Sequence, residues 1–309
     1  MTKKIQDIIY SLFHKKEKLP HYPLVSVIIP LYNYEKYVLD AINSILKQTY
    51  KNWELIIVDD CSTDNSFNVV ADYIDKINVP QNIMLLKNER NKGPSATRNN
   101  GIKHSKGEYV LYLDADDYVS KYFLEECVKA IIKENADIVY CNLLHFQDAK
   151  HKWEFTTPMV YKDYKDPILY YNYILGCSMF SRIAWEKVGG YNENLKGFED
   201  WDFWISCNLA GFKKIAKVNK YLFYYRKHGS SMSDAIITDK KHKELMAQIV
   251  LNHKDFYDVL YVRWAEDILS DNQKTIDTVS TNHGGMPLLE DLKKYYKLTN
   301  KINSPKENL

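Results

Sequence analysis

The 309-residue sequence predicts an α/β fold, in which a mostly parallel sheet carries helices on both faces. Short runs rich in β-branched residues alternate with segments of helical period between residues 25 and 142. This alternation is typical of βαβ units, whose strands lie parallel. Acidic and polar residues follow several of these runs, and ligands bind beyond the carboxyl ends of the strands in such sheets. The sequence therefore predicts both a sheet and the edge at which its site lies.

The first two strands are predicted at residues 25–30 and 53–60. Between them, the apolar residues of segment 35–48 share one helical face, which predicts a helix. After the second strand, Asp64 offers an N-cap to another helix.

Three further strands complete the alternating series, at residues 82–88, 109–114 and 137–142. Pro94 suits the first turn of the helix after the third strand. The next helix is predicted over residues 121–135, so the series reads as strand and helix throughout.

The chain divides into three predicted parts. Residues 24–233 form one domain, whose second half is less regular and includes a helix at 199–210. Residues 234–309 form a charged helical extension that packs on the domain or on a partner. The remaining strands of the domain are predicted near residues 153–157, 176–180 and 213–225.

Residues 1–23 are predicted to form an amphipathic helix or linker with basic flanks. This pattern fits an interfacial membrane helix and a helix docked on protein equally well. The sequence leaves the oligomeric state open, and a homo-oligomer is among the arrangements it allows.

Composition narrows the classes of function. Lys and Arg number 42 against 40 Asp and Glu, and a net charge of +2 gives no general attraction to nucleic acid. The five cysteines are widely spaced without a CxxC pair, which fits a reducing compartment. No run of 18 apolar residues and no secretory signal is present. We therefore expect a cytoplasmic protein, with any membrane contact peripheral, at the inner face and through the terminal helices.

Three carboxylates, Asp114, Asp116 and Asp117, directly follow a predicted strand. Carboxylates that lie a few ångströms apart repel each other, so a fold that holds three of them together usually offsets their charge, and a divalent cation is the simplest means. Oxygen ligands favour Mg²⁺ or Mn²⁺ over zinc. Asp116 or Asp117 could instead cap a helix that begins near Ser120.

A second acidic pair, Asp59 and Asp60, ends the neighbouring strand. A carboxylate there can accept the N3–H of uracil, although guanine or thymine would suit it equally. No glycine-rich phosphate loop follows any strand, so a metal ion and Arg98 are expected to carry the diphosphate charge. Alternatively, Arg98 is a surface residue of its helix.

A third cluster holds Glu199, Asp200 and Asp202 before aromatic residues that would shield it from water. Partial burial raises the pKa of a carboxylate and makes it a better general base. Glu199 and Asp200 could also simply open a helix, where negative charge is favourable, and the two roles are compatible.

Four stretches together resemble glycosyltransferase family 2, the inverting enzymes with the GT-A fold. They are residues 25–64, 91–117, 188–204 and 224–233. The motifs occur in the family's order and spacing, and the likeness covers about residues 24–233. This resemblance implies a nucleotide-sugar donor, expected to be a UDP-sugar, and a hydroxyl acceptor on a glycan, glycolipid or glycoprotein. The expected role is the synthesis of bacterial surface polysaccharide or glycoconjugates.

The resemblance also implies how the donor is held. Pro30, Tyr32 and Asn33 correspond to the nucleotide pocket after the first strand. Asp60 corresponds to the uracil contact, with Asp59 beside it.

Further along, Asn91 and Arg98 resemble nucleotide-contacting positions of the family. Asp114 and Asp116 match its DXD motif, which implies Asp116 as the ligand of Mn²⁺ or Mg²⁺ and Asp114 as a ribose contact or indirect ligand. His228 resembles a histidine that meets metal or diphosphate.

Asp200 matches the family's catalytic base, with Glu199 near the donor sugar or the acceptor. Two other classes of function compete with this interpretation. One is a nucleotidyltransferase of related architecture, for which a glycine-rich loop would be expected after the first strand. The other is a non-catalytic nucleotide-sugar-binding or assembly protein.

Overall fold

A computed structural model describes residues 22–147, 152–155, 166–228, 239–272, 275, 278–281 and 285–303. The predicted helix within residues 1–23 lies outside this described part of the chain. None of the helices that the structure describes is long and apolar enough to span a bilayer.

Within the described residues, nine strands form one sheet. They are β1 (Val25–Leu31), β2 (Trp53–Asp59), β3 (Ile83–Lys87), β4 (Tyr109–Tyr112), β5 (Tyr118–Val119), β6 (Ile138–Phe146), β7 (Lys152–Phe155), β8 (Met179–Ser181) and β9 (Ile215–Arg226). Their order is β3-β2-β1-β4-β8-β6-β9-β5, and β7 pairs with β6. Strands β5, β7 and β8 run opposite to the others. The prediction of a mostly parallel sheet is therefore confirmed.

The helices follow the strands as the alternating pattern predicts. They are α1 (Val38–Leu46), α2 (Ser66–Ile74), α3 (Pro94–Lys103), α4 (Phe123–Glu134), α5 (Arg182–Val188), α6 (Glu199–Leu209), α7 (Asp239–Asn252), α8 (Val259–Leu269) and α9 (Leu289–Asn303). Helix α5 and the two-residue strand β5 were not predicted from the sequence. Strand β8 begins at Met179, whereas the predicted strand begins at residue 176.

The two faces of the sheet bury separate cores, as the period-two alternation of a strand requires. Val27 and Ile29 of β1 pack on the side of α1, whereas Ile28 faces the opposite core. That opposite core also contains Trp201 of α6 and Trp264 of α8, both fully buried. The C-terminal extension thus packs on the same face of the sheet as the helix that carries the third acidic cluster.

Candidate active site

A cavity of about 1160 Å³ opens at the carboxyl ends of β1, β2 and β4. Most of the predicted site residues line it: Pro30, Tyr32, Asn33, Asp60, Asn91, Arg98, Asp114, Asp116, Glu199 and Asp200. The cavity lining does not include Asp59 or His228, although His228 reaches the site through Asp116. Three acidic clusters that are far apart in the sequence therefore lie around one space.

Asp60 lines the cavity but is already surrounded by donors. Its carboxylate accepts hydrogen bonds from the backbone N–H of Lys92 at 2.9 Å and of Gly93 at 2.8 Å, and from the Asn88 side chain at 2.7 Å. Asp60 therefore holds the loop that precedes α3 against the end of β2. This contact shapes the predicted nucleotide pocket whether or not a base also binds there.

The structure does not bring Asp59 into the cavity, in contrast to its predicted place among the donor-binding residues. Its side chain is fully buried, and one carboxylate oxygen accepts the backbone N–H of Ser62 at 3.1 Å. Adjacent residues of an extended chain point to opposite sides, so only one of the two acids can face the cleft. Asp59 instead fixes the turn after β2.

Asn33 links the loops after β1 and β2. Its backbone lies in the left-handed region, with φ of 58°, which asparagine tolerates better than most residues. Its side-chain oxygen accepts the backbone N–H of Thr63 at 2.8 Å. The neighbouring Tyr32 is 41% exposed at the rim of the cavity, where its ring is accessible to a ligand.

The carboxylates after β4 each have a different partner. His228 Nε2 lies 2.8 Å from Asp116 Oδ2, and the backbone N–H of Arg226 donates to Asp117 Oδ1 at 2.7 Å. Burial, followed by Asp116 and Asp114, raises the pKa of Asp117 well above its usual range. The helix-cap alternative for this cluster is wrong, because α4 begins only at Phe123 and these side chains bind elsewhere.

Arg98 connects the carboxylates after β4 to those of α6. It is only 4% exposed, so the alternative of a surface helix residue is wrong. Its guanidinium donates to Asp114 at 3.0 Å and to Glu199 at 2.5 Å, and lies 4.0 Å from the centre of the Tyr112 ring. Burial raises the pKa of the Asp114 carboxyl while Arg98 opposes that rise. The guanidinium is thus the link that holds the two acidic clusters at a fixed separation.

Asp200 lies in the first turn of α6, where the helix dipole favours a negative charge. Among the described residues, its carboxylate accepts only the backbone N–H of Trp201 at 2.8 Å and the Asn172 side chain at 3.3 Å. Burial, followed by the charge of Glu199, raises the pKa of Asp200 to about 6. The aromatic shielding predicted from the sequence is present, because Trp201 is fully buried.

Gly176 keeps the space beside Asp200 open. A Cβ at this position would lie 2.0 Å from the Tyr112 hydroxyl and 3.5 Å from Asp200 Oδ2. Asn172 and Gly176 belong to the loop before β8, where no motif identified them in the sequence.

The C-terminal extension contacts α6 at Asp202 and the cavity itself through His242. Asp202 Oδ1 accepts a hydrogen bond from the Asn252 side chain at 2.9 Å and lies 3.1 Å from His253 Nε2. His242 of α7 lines the cavity, and its ring centre lies 5.1 Å from that of Phe198. The positions of His242, Asn252 and His253 were not predicted, because these residues lie outside the four motif stretches.

In the described part of the chain, no three His, Cys, Asp or Glu side chains group closely enough to hold a metal ion by themselves. Asp116 and His228 nevertheless form a buried pair beside the cavity, with side chains 11% and 8% exposed. Ions such as Mg²⁺ are typically bound by one or two carboxylates together with substrate phosphates, so this donor set fits an ion shared with a nucleotide.

The mostly parallel sheet and the acidic cleft at the carboxyl ends of its strands are the arrangement of an α/β protein that binds its ligand at that edge. The model of glycosyl transferase family 2 matches residues 26–189, and the chain belongs to this family. The predicted family is thereby confirmed. The two competing classes, a nucleotidyltransferase and a non-catalytic nucleotide-sugar-binding or assembly protein, are set aside.

Curated relatives support the same assignment. An uncharacterized glycosyltransferase of Rickettsia typhi is 30% identical over 290 residues, which are 91% of this chain and 82% of the relative. The putative teichuronic acid biosynthesis glycosyltransferase TuaG of Bacillus subtilis is 32% identical over 68% of this chain and 82% of its own length. The poly(ribitol-phosphate) β-N-acetylglucosaminyltransferase TarS of Staphylococcus aureus is 29% identical over 73% of this chain and 40% of TarS.

Solved structures agree on the fold. Residues 1–349 of TarS in complex with UDP-GlcNAc superpose with a TM-score of 0.60 at 25% identity, over 84% of this chain and 74% of that one. The mannosyltransferase PcManGT of Pyrobaculum calidifontis gives a TM-score of 0.59 at 15% identity, over 96% of this chain and 88% of its own. The predicted GT-A fold is therefore confirmed.

Proposed function

We propose that this glycosyltransferase is a metal-dependent inverting enzyme that transfers a sugar from a UDP-sugar to a hydroxyl of a glycan, glycolipid or glycoprotein. The observation that carries the proposal is that one cavity holds two separate sets of acids. Asp114 and Asp116 lie at the sheet edge, and Asp200 lies on α6. TarS, whose structures contain UDP and UDP-GlcNAc, supports uracil as the base. The names of TarS and TuaG support a cell-surface glycan as the product.

The donor is proposed to bind between the loops after β1, β2 and β4. Tyr32 offers an exposed ring to the base, and Asp60 holds the wall of the pocket. Asn91 completes this side of the cavity. The cavity is large enough for a nucleotide sugar, since ligand pockets typically measure about 300–1000 Å³.

Asp116 and His228 are proposed to hold Mn²⁺ or Mg²⁺, with Asp114 as an indirect ligand or ribose contact. A divalent ion at this position would offset the charge that develops on the leaving diphosphate. Arg98 is engaged with Asp114 and Glu199, so we now assign it to positioning the acids rather than to the diphosphate.

Asp200 is proposed as the general base that takes the proton of the acceptor hydroxyl. The oxygen attacks the anomeric carbon from the face opposite the nucleotide, which inverts that centre. With a pKa of about 6, the carboxyl is mostly ionised at neutral pH and is still a stronger base than an ordinary aspartate. One carboxylate suffices, because a diphosphate leaves as a stable anion and needs no second carboxylic acid of the kind that glycosidases use.

The test is the release of nucleoside diphosphate. The purified full-length chain is incubated with Mn²⁺ and a panel of UDP-, GDP- and dTDP-sugars, with and without glycan acceptors. We expect release from a UDP-sugar, stimulated by an acceptor and abolished by EDTA. Release from no donor under any of these conditions would contradict the proposed activity, and release from GDP-sugars alone would contradict the proposed base.

A further inference from the structure

A second cavity lies across strand β9 from the candidate active site. It measures about 730 Å³, and its lining includes Tyr118, Phe146, Tyr224, Arg226, Lys47 and Lys121. Successive side chains of a strand point to opposite sides, and β9 follows this rule. The active-site cavity is lined by Phe223 and Tyr225, whereas the second cavity is lined by Tyr224 and Arg226.

Aromatic rings form part of the wall of this second cavity. Tyr118 and Tyr224 are partners on adjacent strands, and their ring centres lie 4.6 Å apart with an angle of 16° between the planes. Phe146 lies 4.8 Å from the Tyr118 ring. The sheet fixes these rings, so they offer a rigid apolar surface at low entropic cost. Aromatic walls with a few polar groups are typical of small-ligand sites.

The charges around the rings are not balanced. Arg226 pairs with Asp40 at 2.7 Å. Lys47 and Lys121 are exposed, and within the described part of the chain neither has a carboxylate partner at ion-pair distance. The Lys121 ammonium lies 5.0 Å from the centre of the Tyr122 ring, a contact that it can exchange for an anion. Two ammonium groups beside an aromatic wall attract a ligand that combines a ring with negative charge.

Arg226 joins this cavity to the acids of the candidate active site. Its guanidinium binds Asp40 on one side and donates to the backbone carbonyl of Asp116 at 2.7 Å, while its backbone N–H donates to Asp117. Arg226 therefore lines the second cavity and also contacts Asp116, the proposed metal ligand.

We propose that the second cavity binds an anionic saccharide, in which the sugar ring packs on Tyr118 and Tyr224 and its carboxylate or phosphate lies at Lys47 and Lys121. The sugar can come from a distal unit of the acceptor or product chain, or from a second nucleotide-sugar molecule. Only the first of these sources rests on the proposed function. In either case the site is separate from the donor site, because the side chains of β9 divide the two cavities.

The experiment uses the full 309-residue chain and measures binding by titration calorimetry with four probes: tetragalacturonate, neutral cellotetraose, UDP with Mn²⁺ and a UDP-sugar with Mn²⁺. We expect tetragalacturonate to bind more tightly than cellotetraose. The double variant Lys47→Ala/Lys121→Ala should weaken tetragalacturonate binding about tenfold, because it removes two charge-assisted contacts. Lys133→Ala on α4, an exposed lysine outside both cavities, is the matched control and should leave binding unchanged.

Several outcomes decide the proposal. Binding of tetragalacturonate that is absent, or equal in wild type and the double variant, overturns it. Competition between tetragalacturonate and UDP with Mn²⁺ also overturns it, because the saccharide would then occupy the donor site. A second equivalent of a UDP-sugar that is lost in the double variant supports the site and identifies the nucleotide sugar as its source. Failure of the diphosphate-release assay leaves this binding result intact, so the two proposals fail separately.

Discussion

The two sides of the cleft are held in place by different means. On the proposed donor side, Asp60 and Asp117 are bound by backbone N–H groups, those of Gly93 in the loop before α3 and of Arg226 in β9. On the other side, Asp200 lies on a helix whose setting depends on side chains from remote segments, among them Asn172 and His253. Asp60 and Asp117 are therefore fixed by main-chain groups, whereas α6, which carries the proposed base, is fixed by side chains.

Asp114 and Asp116, which are proposed to hold the donor and its metal ion, differ from Asp200 in how their charge is compensated. Asp114 has a guanidinium partner, and Asp116 has an imidazole beside it. Asp200 has no cation within ion-pair distance among the described residues, and burial raises its pKa to about 6. Compensated acids suit binding, and an uncompensated buried acid suits proton transfer. Each variant below therefore acts on one side of the cleft or on the link between the sides.

The largest expected effect is on the base. Asp200→Asn keeps the size of the side chain and an acceptor for the Trp201 amide, but it removes the proton acceptor. We expect turnover to fall about 1000-fold, since a positioned general base contributes roughly 10²–10⁴. The measurement is nucleoside diphosphate release with donor and acceptor, and Glu134→Gln, an exposed carboxylate on α4, is the control. Turnover within about tenfold of wild type would mean that another group is the base.

The link between the two sides comes next. Arg98→Met removes the buried cation and leaves Asp114 and Glu199 without their partner. Breaking a buried ion pair in this way costs about 3 kcal/mol, so the free energy of unfolding should fall by that amount. Urea denaturation measures it, and Arg90→Met at an exposed position is the matched control. Equal stability of the two variants would refute the role of Arg98 as a buried link.

A pH profile examines the base without a mutation. Asp200 must be deprotonated to accept a proton, so kcat/KM should fall as the pH drops through about 6, the pKa of this carboxyl. Well below that pH the loss should be about tenfold per pH unit. A profile measured at constant ionic strength that stays flat through pH 6 would contradict the assignment.

The smallest effect is expected at the contact with the C-terminal extension. His253→Ala removes one of two contacts to Asp202 and should loosen α6 without touching the donor side. A lost hydrogen bond costs about 1 kcal/mol of stability, and kcat should fall by at most about fivefold, the value reached when this whole free energy is lost from the transition state. The donor KM should not change, and His104→Ala at an exposed position is the control. A change in donor KM with unchanged kcat would mean that His253 acts on donor binding, and this would contradict the prediction.

The residues assigned to the donor lie around one cavity as the sequence predicted, because they follow strands directly. Once β1, β2 and β4 are recognised, parallel pairing brings Asp60 and Asp114 to one edge of the sheet. The prediction that Asp59 contacts the donor was not supported, since a repeated acid in the sequence does not show which of the two points outward.

The base side was predicted only in part. The helix at 199–210 was expected, and α6 spans Glu199–Leu209. Its partners carried no signal, because Asn172 and His253 meet α6 across 28 and 51 positions of sequence. Such contacts are set by tertiary packing, which local patterns do not encode.

The central claim is that donor binding and proton transfer depend on different acids. Its most direct test is the affinity for UDP with Mn²⁺, measured by titration calorimetry for Asp200→Asn and Asp116→Asn in parallel. We expect Asp200→Asn to bind UDP with an affinity within about twofold of wild type. Asp116→Asn should bind it at least about tenfold more weakly than wild type, which is a loss of about 1.4 kcal/mol in binding free energy. Wild-type affinity in Asp116→Asn, or an equal loss of affinity in both variants, would contradict the separation of donor binding from proton transfer.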